Sequence, residues 1–393
     1  MSADSNRVLL ARVRESSFAE DPPSGPPTLV NMRMTSESLG QDTDTVTSQE
    51  IRSDRQVDDV IRTNISAVGD TNHEFSYGTF DEELESAFQS DAGFSSEVVL
   101  YTGTAATFTA SGSTVAATGI NSNAVLGEWV LIAGAANAAN NGIFKITAIA
   151  SGVLTLAKGL TSITDEAPTA SVTVTMLSSI VNGTTLDTYF FEKAFTDVSN
   201  AFEAYYGMGV NGWNGNISTG AVVTTGFNWL GSKAKSLTAT AGDGTNTAAS
   251  TTRVMNAVDN IVRILEGSPS SADLCARTLT WALNNNLRQK TCIGTLGAFE
   301  LGVGTIDLTG TLVSFFNDPA IANSYLNFTD SSISTRFQDA AGNKYILDIP
   351  SVKYTNARRV AGGINQDVVM EMAWTAFRNS TEGITMRLVR DAA

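Results

Sequence analysis

A chain of 393 residues exceeds the usual size of one domain, so two or three domains are expected. Its 40 acidic against 25 basic residues exclude a basic grip on nucleic-acid phosphates, but not a surface past which a polyanion slides without sticking. Two cysteines, Cys275 and Cys292, exclude a disulfide framework or a cysteine zinc site and are read as free thiols in a reduced compartment; the single histidine, His73, removes most metal and acid–base schemes.

The first residues show no apolar run long enough for a signal peptide, and no stretch of the chain is long and apolar enough to span a bilayer as a helix. Alternation from Leu29 to Thr47 predicts an extended hairpin arm, with a turn at Gly40 and a return strand from Ser48 to Asp54. Its tip, Ser36 to Ser48, is polar and acidic and is expected to be loose in an isolated subunit. Asn64 to Tyr77 reads as a further strand pair. The clearest helix follows, with Thr79 as N-cap, Glu82 completing a capping box, and Phe80, Leu84, Ala87 and Phe88 on one face.

From residue 99 to 178 the text becomes short β-type runs split by Gly, Asn and Ser, with a turn cluster from Ala136 to Gly142. Charge changes with it. Residues 1–98 carry 19 acidic and 7 basic side chains, 99–178 carry 3 and 2, and the remainder 18 and 16. The excess is therefore concentrated in the first quarter, where it is either an ordinary solvated surface or one that repels a polyanion. Strands resume at Thr184, and 235–252 is a polar linker. Val254, Val258, Ile261, Val262 and Leu265 have helical spacing, although Val and Ile also permit a strand. The rest is strand-rich, with one helix candidate from Asp318 and Pro319 through Ile321, Tyr325 and Leu326.

The two helices have matching surroundings. Ile65 to Tyr77 precedes the first as Gly304 to Phe316 precedes the second. The strand Ser331 to Phe337 follows the second directly, while its counterpart, Leu186 to Phe195, is delayed by the weakly charged module. Each copy ends in paired strands, 216–230 and 367–377. The fold class is thus mainly β: duplicated units, each with a short flanking helix, and a small inserted all-β module. The expected division is 1–98 with 179–235 as the first unit, 99–178 as the insert, 236–272 as a linker and 273–393 as the second unit.

Sites for chemistry are scarce. Gly207, Gly209 and Gly212 spell G-x-G-x-x-G, but the Trp213-Asn-Gly-Asn that follows reads as a turn, without the helix that a dinucleotide site requires. His73-Glu74 lacks further ligands, and no G-x-S-x-G or calcium loop is present. No catalytic residue, cofactor or metal is expected. A surface-attachment module working through 99–178 is the alternative of a different class, and a paired-carboxylate enzyme is a third.

Three stretches carry a resemblance. ESSFAEDPPSGPPTLVNMRMTSESLGQDTDTVTSQEIRSDRQVDDVIRTNISAVGDTNHEFSYGTFDEELESAF, NGTTLDTYFFEKAFTDVSNAFEAYYGMGVNGWNGNISTGAVVTTGFNWLG, and DLCARTLTWALNNNLRQKTCIGTLGAFELGVGTIDLTGTLVSFFNDPAIANSYLN with the segment through EMAWTAF resemble the tail tube proteins of long, non-contractile bacteriophage tails. The resemblance implies β-sandwiches whose inner sheets join those of neighbours in a closed barrel. Rings then stack into a tube for genome delivery, in a virion assembled in the host bacterial cytoplasm. The implied partners are further copies of the chain, the tape-measure, tail-tip and terminator proteins, and DNA that passes without specific binding. With two units per chain, three copies would form a pseudo-sixfold ring where single-unit relatives need six. Glu37, Asp42, Asp44 and Glu50 are the candidate residues of the arm, at ring contacts or near the channel.

Overall fold

The computed structural model describes residues 3–393 except 22–24, 158–161, 169–170, 267–271, 274, 317–318 and 362. In chain order, the first part holds β1 (Val8–Arg14), β2 (Val30–Asn31), β3 (Ser36–Glu37), β4 (Gly40–Thr47), β5 (Val60–Glu74) and helix α1 (Asp81–Phe88). A separate sheet follows: β6 (Val98–Gly103), β7 (Thr107–Thr109), β8 (Thr114–Ala116), β9 (Trp129–Ala133), β10 (Gly142–Ala150), β11 (Val153–Leu156) and β12 (Val172–Met176). The chain then returns through β13 (Ser178–Val181), β14 (Thr188–Phe195), β15 (Phe202–Ser218), β16 (Thr224–Gly231) and β17 (Lys233–Leu237). The last part has β18 (Ile261–Glu266), β19 (Ala272–Asp273), β20 (Ala276–Asn284), β21 (Arg288–Lys290), β22 (Glu300–Gly302) and β23 (Asp307–Phe315). Helix α2 (Pro319–Leu326), β24 (Ser331–Gln338), β25 (Lys344–Val360), β26 (Val369–Ala376) and β27 (Arg387–Asp391) complete it.

The protein is mainly β, and its strands fall into two series with the same antiparallel pairings. In the first, β2, β1, β14, β15 and β17 are neighbours in one sheet, and β4, β5, β16 and β15 in another. In the second, β19, β18, β24, β25 and β27 repeat the former set, and β20, β23, β26 and β25 the latter. The long strands β15 and β25 serve both sheets of their series, changing register at bulges between Val210 and Gly212 and between Tyr354 and Asn356. A bulge bends a strand and sharpens its twist, which lets one strand pass from one sheet to the next.

Alignment at these bulges sets Trp229 of β16, opposite Gly69 of β5, on Trp374 of β26, opposite Gly310 of β23. Both glycines are required by close approach. At Gly310 a Cβ would collide with the Thr280 carbonyl and the Trp374 ring; at Gly69, where φ is +150°, it would lie 2.6 Å from the Ser38 carbonyl oxygen. The two series share one apolar core, in which Trp213, Phe227, Trp229, Trp281, Met372 and Trp374 are all nearly inaccessible. Each large side chain buried there contributes about 1.5–3 kcal/mol.

Several sequence expectations change. The return strand of the arm is β5, not Ser48 to Asp54, because Ile65 and Ala67 can bury against the core while 48–59 forms the exposed turn. Asn64 to Tyr77 is accordingly one strand and its end rather than a pair, and Ser36 to Thr47 is ladder-paired to it over most of its length. Leu29 to Asn31 leaves the arm and lies beside β1. Helix α1 begins at Asp81 without a capping box: Thr79 Oγ1 bonds Ser76 and Ser250, and three acidic residues in the first turn face the positive end of the helix dipole, which stabilises them there. Phe80, Leu84, Ala87 and Phe88 are buried as their spacing requires.

Helix α2 starts at Pro319, Asp318 lying outside the described residues. Of the two readings open to it, Ile261 to Glu266 takes the strand and pairs β24, so the segment read as a 236–272 linker contains β18 and the first residue of β19. The G-x-G-x-x-G run lies inside β15 with no turn after it; Gly207, at φ +67°, packs its Cα against Phe18.

The seven strands of 98–176 enclose their own core around Phe108, Val130, Phe144 and Leu154. Although this sheet leaves the chain after α1, it rests on the second series. Trp129, Ile143 and Leu177 pack on Ile346 and Val389, and Trp129 Nε1 donates to Asp348 at 3.2 Å. Lys145 pairs with Asp348 at 2.8 Å and Glu382 at 2.7 Å, and Arg387 reaches Glu128 at 3.3 Å and Glu382 at 2.8 Å. Burial works against the Lys145 ammonium, but the two carboxylates outweigh it and raise its pKa.

Candidate assembly edges and polar face

The two inner sheets meet where β15 pairs β20, from Gly212 opposite Asn284 to Ser218 opposite Thr278. The result is an eight-strand arc in the order β4, β5, β16, β15, β20, β23, β26, β25. One face of the arc is the apolar core. Because side chains alternate along a strand, the residues between the core positions form the opposite face. The polar ones include Ser66, Asp70 and Asn72 on β5, Asn228 on β16, Asn214 and Asn216 on β15, Thr280 on β20, Thr309 and Thr311 on β23, and Glu371 and Thr375 on β26; Val68, Leu230, Val313, Phe315, Val369 and Ala373 share the face.

Hydrogen bonds tie these groups to one another across strands. Asn211 Nδ2 donates to Asn228 Oδ1 at 3.0 Å, and Asn228 Nδ2 donates to Asp70 Oδ1 at 2.9 Å. Asn72 Nδ2 donates to Ser36 Oγ at 3.0 Å, and Thr280 and Thr311 share a 2.7 Å hydroxyl bond. The polar part of the face is thus chiefly amide and hydroxyl. Its carboxylates are Asp42, Asp44, Asp70, Glu74, Asp307 and Glu371, while Arg358 is a cation near the end of β25. Lys353 is engaged at the rim, 3.1 Å from Asp330, and Arg277 lies over the Phe315 ring. Such a surface offers phosphates few cations to replace their counterions.

The junction inside the chain is strongly apolar on its core side. Trp213 of β15 and Trp281 of β20 meet edge to face with ring centroids 5.3 Å apart, and Trp281 covers Gly215, where a Cβ would enter the indole. At either end of the arc the edges differ. Among the described residues, the outer edge of β3–β4 and the second half of β25 have no further strand neighbour.

The candidate arm residues separate on this frame. Glu37 is drawn onto the packed side, where it accepts from Leu39 N at 2.8 Å and lies 3.2 Å from Lys193 Nζ. Lys193 and Tyr205 in turn donate to the Leu39 carbonyl at 3.3 and 2.9 Å. Asp42 is exposed on the edge strand β4. Asp44, also exposed, accepts weakly from Asn64 at 3.4 Å. Glu50 lies in the exposed turn beyond it. That turn also exposes Ile51 and Val57, and the strand ends beside it expose Val46, Val60 and Ile61. Sequence reading did not find the open edges of β3–β4 and β25, since an edge is defined by which strands are absent beside it.

His73 is a packing residue: its ring sits 4.7 Å from Phe80, Nε2 bonds Thr71 Oγ1 at 2.9 Å, Nδ1 meets the Arg33 carbonyl, and burial pulls its pKa down to about 4. Arg12 pairs in the core with Glu83 at 2.5 Å and with Glu82. Cys275 and Cys292 are free and exposed. Among the described residues, no group of three or more His, Cys, Asp or Glu side chains is arranged to hold a metal ion, and no helix is long and apolar enough to cross a membrane.

The fold is mainly β, with two strand series sharing one core and a largely polar face on the arc they form. The model of the phage tail tube protein family matches residues 5–376, and the chain belongs to that family, a structural component of the virion. No curated protein matches it.

Proposed function

We propose that three copies close into a ring with pseudo-sixfold symmetry, and that rings stack into the hollow tube through which the phage genome is delivered. The observation that carries this reading is the eight-strand arc, in which two equivalent four-strand sets already join edge to edge within one chain. Repeating that union between chains closes a barrel and leaves no free sheet edge. The polar face would then line the channel, and its amides, hydroxyls and carboxylates would let DNA pass without trapping it.

In this reading the first unit is 1–98 with 179–235, the insert 99–178 is a peripheral lobe, and the second unit begins at β18 rather than at 273. The hairpin turn between β4 and β5, with Asp42, Asp44 and Glu50 along it, reaches the next ring, where its exposed Val46, Ile51 and Ile61 become covered. Glu37 serves as an internal partner of Lys193. Tape-measure, tail-tip and terminator proteins would meet the finished tube, which is assembled in the host cytoplasm. Negative-stain images of concentrated protein test the reading. Hollow rings or tubes are expected, and compact single copies that persist at high concentration and after seeding with preformed tail tips would contradict it.

A further inference from the structure

The two unpaired edges are the counterparts of the two strands that meet inside the chain. Bulge alignment sets the second half of β25 on the second half of β15: Asn356 takes the place of Gly212, Ala357 of Trp213, Arg358 of Asn214 and Arg359 of Gly215. Ladder partners on β5 and β23 likewise set Ser36, Glu37, Gly40, Gln41 and Asp42 on Thr278, Leu279, Ala282, Leu283 and Asn284 of β20. The backbone agrees. Ser38 N donates to Asp70 O, so even-numbered residues here face β5 and the peptide groups of Glu37, Leu39 and Gln41 face outward. At the internal junction, Asn285 N donates to Asn211 O and Thr219 N to Arg277 O, so the corresponding positions of β20 are the ones hydrogen-bonded to β15.

We propose that, within the ring described above and resting on that reading, the second half of β25 pairs antiparallel with β3–β4 of the next copy. The register places Asn356 opposite Asp42, Ala357 opposite Gln41, Arg358 opposite Gly40, Arg359 opposite Leu39 and Val360 opposite Ser38.

Chemistry at these positions distinguishes the two kinds of junction. Where the internal one has neutral Asn214 and Asn284, the external one has Arg358 on one strand and Asp42 on the other. In this register they are diagonal neighbours on the polar face, a distance that long side chains bridge. Where the internal one has Trp213, Trp281 and Leu283 on the core side, the external one has only the smaller apolar Ala357 and Leu39, with the polar Gln41 in the place of Leu283. A permanent junction is thus built on tryptophans, and one that must form between separate molecules on complementary charge, which favours correct encounter. In the single copy the Leu39 peptide is covered, its N–H by the Glu37 carboxylate and its carbonyl by Tyr205 and Lys193. Joining exchanges the Leu39 N–H bond to Glu37 for a ladder bond to the Arg359 carbonyl, and until then the cover blunts an otherwise adhesive edge.

Disulfide trapping tests the register. With the native cysteines replaced (Cys275→Ser, Cys292→Ser), Asn356→Cys with Asp42→Cys places thiols at a non-hydrogen-bonded pair, the close one in an antiparallel ladder. Assembled and oxidised, this variant should give linked species ending at three chains on a non-reducing gel, at least tenfold more than Asn356→Cys with Ser38→Cys. In that control the thiols are four residues, or about 13 Å, out of register. As a second measurement, Arg358→Glu should raise the concentration needed for assembly several-fold, and adding Asp42→Arg should restore it. Tubes in which the control pair links as well as the matched pair, or in which neither links, overturn the assigned edges while leaving the ring reading intact. A cysteine-free parent that forms neither rings nor tubes overturns the ring reading, and this pairing with it.

Discussion

The first strand series carries a hairpin arm that prolongs β4 and β5, an inserted sheet, a buried Arg12–Glu83 pair and a buried histidine; the second reproduces its pairings without an insert or a histidine, and the chain between its β20 and β23 folds instead as the separate hairpin β21–β22. At the place of His73 the second series has Ser314, and where β4 and β5 extend beyond the sheet, β20 and β23 stop at Asn284 and Asp307. What both retain is a bulge in the long strand and a glycine opposite a tryptophan. The difference teaches that the sandwich is fixed by a few backbone events and close contacts, while side-chain chemistry around them is free to serve other ends.

If that is so, the largest effects should come from the shared positions. Gly310→Ala drives a Cβ into the Thr280 carbonyl and the Trp374 ring, and should cost at least about 3 kcal/mol in urea unfolding, as overpacking against backbone does. Gly69→Ala should behave alike, since its φ of +150° and the Ser38 backbone both oppose a side chain. A near-neutral result at either position would break the comparison.

Features confined to the first series come next. Arg12→Ala leaves Glu83 charged and buried without its partner, and a loss of about 3–5 kcal/mol is expected at neutral pH. His73 gives a pH signature. Its folded pKa, about 4, lies below the ordinary 6.5, so protons favour the unfolded chain. The stability linked to neutral His73 is complete above pH 6.5 and is lost as pH falls toward 4. A difference of about 3 kcal/mol across that window follows from the shift. It should be reduced in His73→Gln, measured by urea unfolding at pH 7 and pH 4.5. Equal acid sensitivity in both proteins would remove the histidine from the account.

Smallest in effect on the fold are the appendages. Replacing 48–59 by a short turn should leave the melting temperature within a few degrees of the parent and permit single rings, yet prevent stacking; long tubes from this variant would remove the arm from ring contact. Joining Glu97 to Ser178, with Ile346→Thr and Val389→Thr to reduce the bared apolar surface, should still yield tubes, because β6 and β12 run antiparallel and their ends lie side by side. Failure of this variant to form rings while remaining folded would make the insert part of the assembly.

Much of this architecture is legible from the sequence because period-two alternation, turn clusters and helix faces are local. The apolar face of α1, the inserted sheet and the repeated order of strand, helix and strand all follow from such signals. What was missed depends on partners distant in the chain. Ser48 to Asp54 alternates no worse than a strand, but Ile65 and Ala67 have a core to enter and win the pairing. Ile261 to Glu266 has helical spacing, yet β24 offers it a ladder edge and no complementary helix surface is required. Glu37 looks like its acidic neighbours until Lys193, far along the chain, is placed beside it. The open edges of β3–β4 and β25 were invisible for the same reason.

The central claim is that one chain contributes two equivalent units to a ring, and end-on cryo-electron microscopy of assembled rings tests it most directly. The account predicts three peripheral lobes, one from each insert, around a wall of six similar units and an open channel. Six lobes around the ring, or a wall whose repeating units do not alternate between lobed and lobe-free, would contradict it.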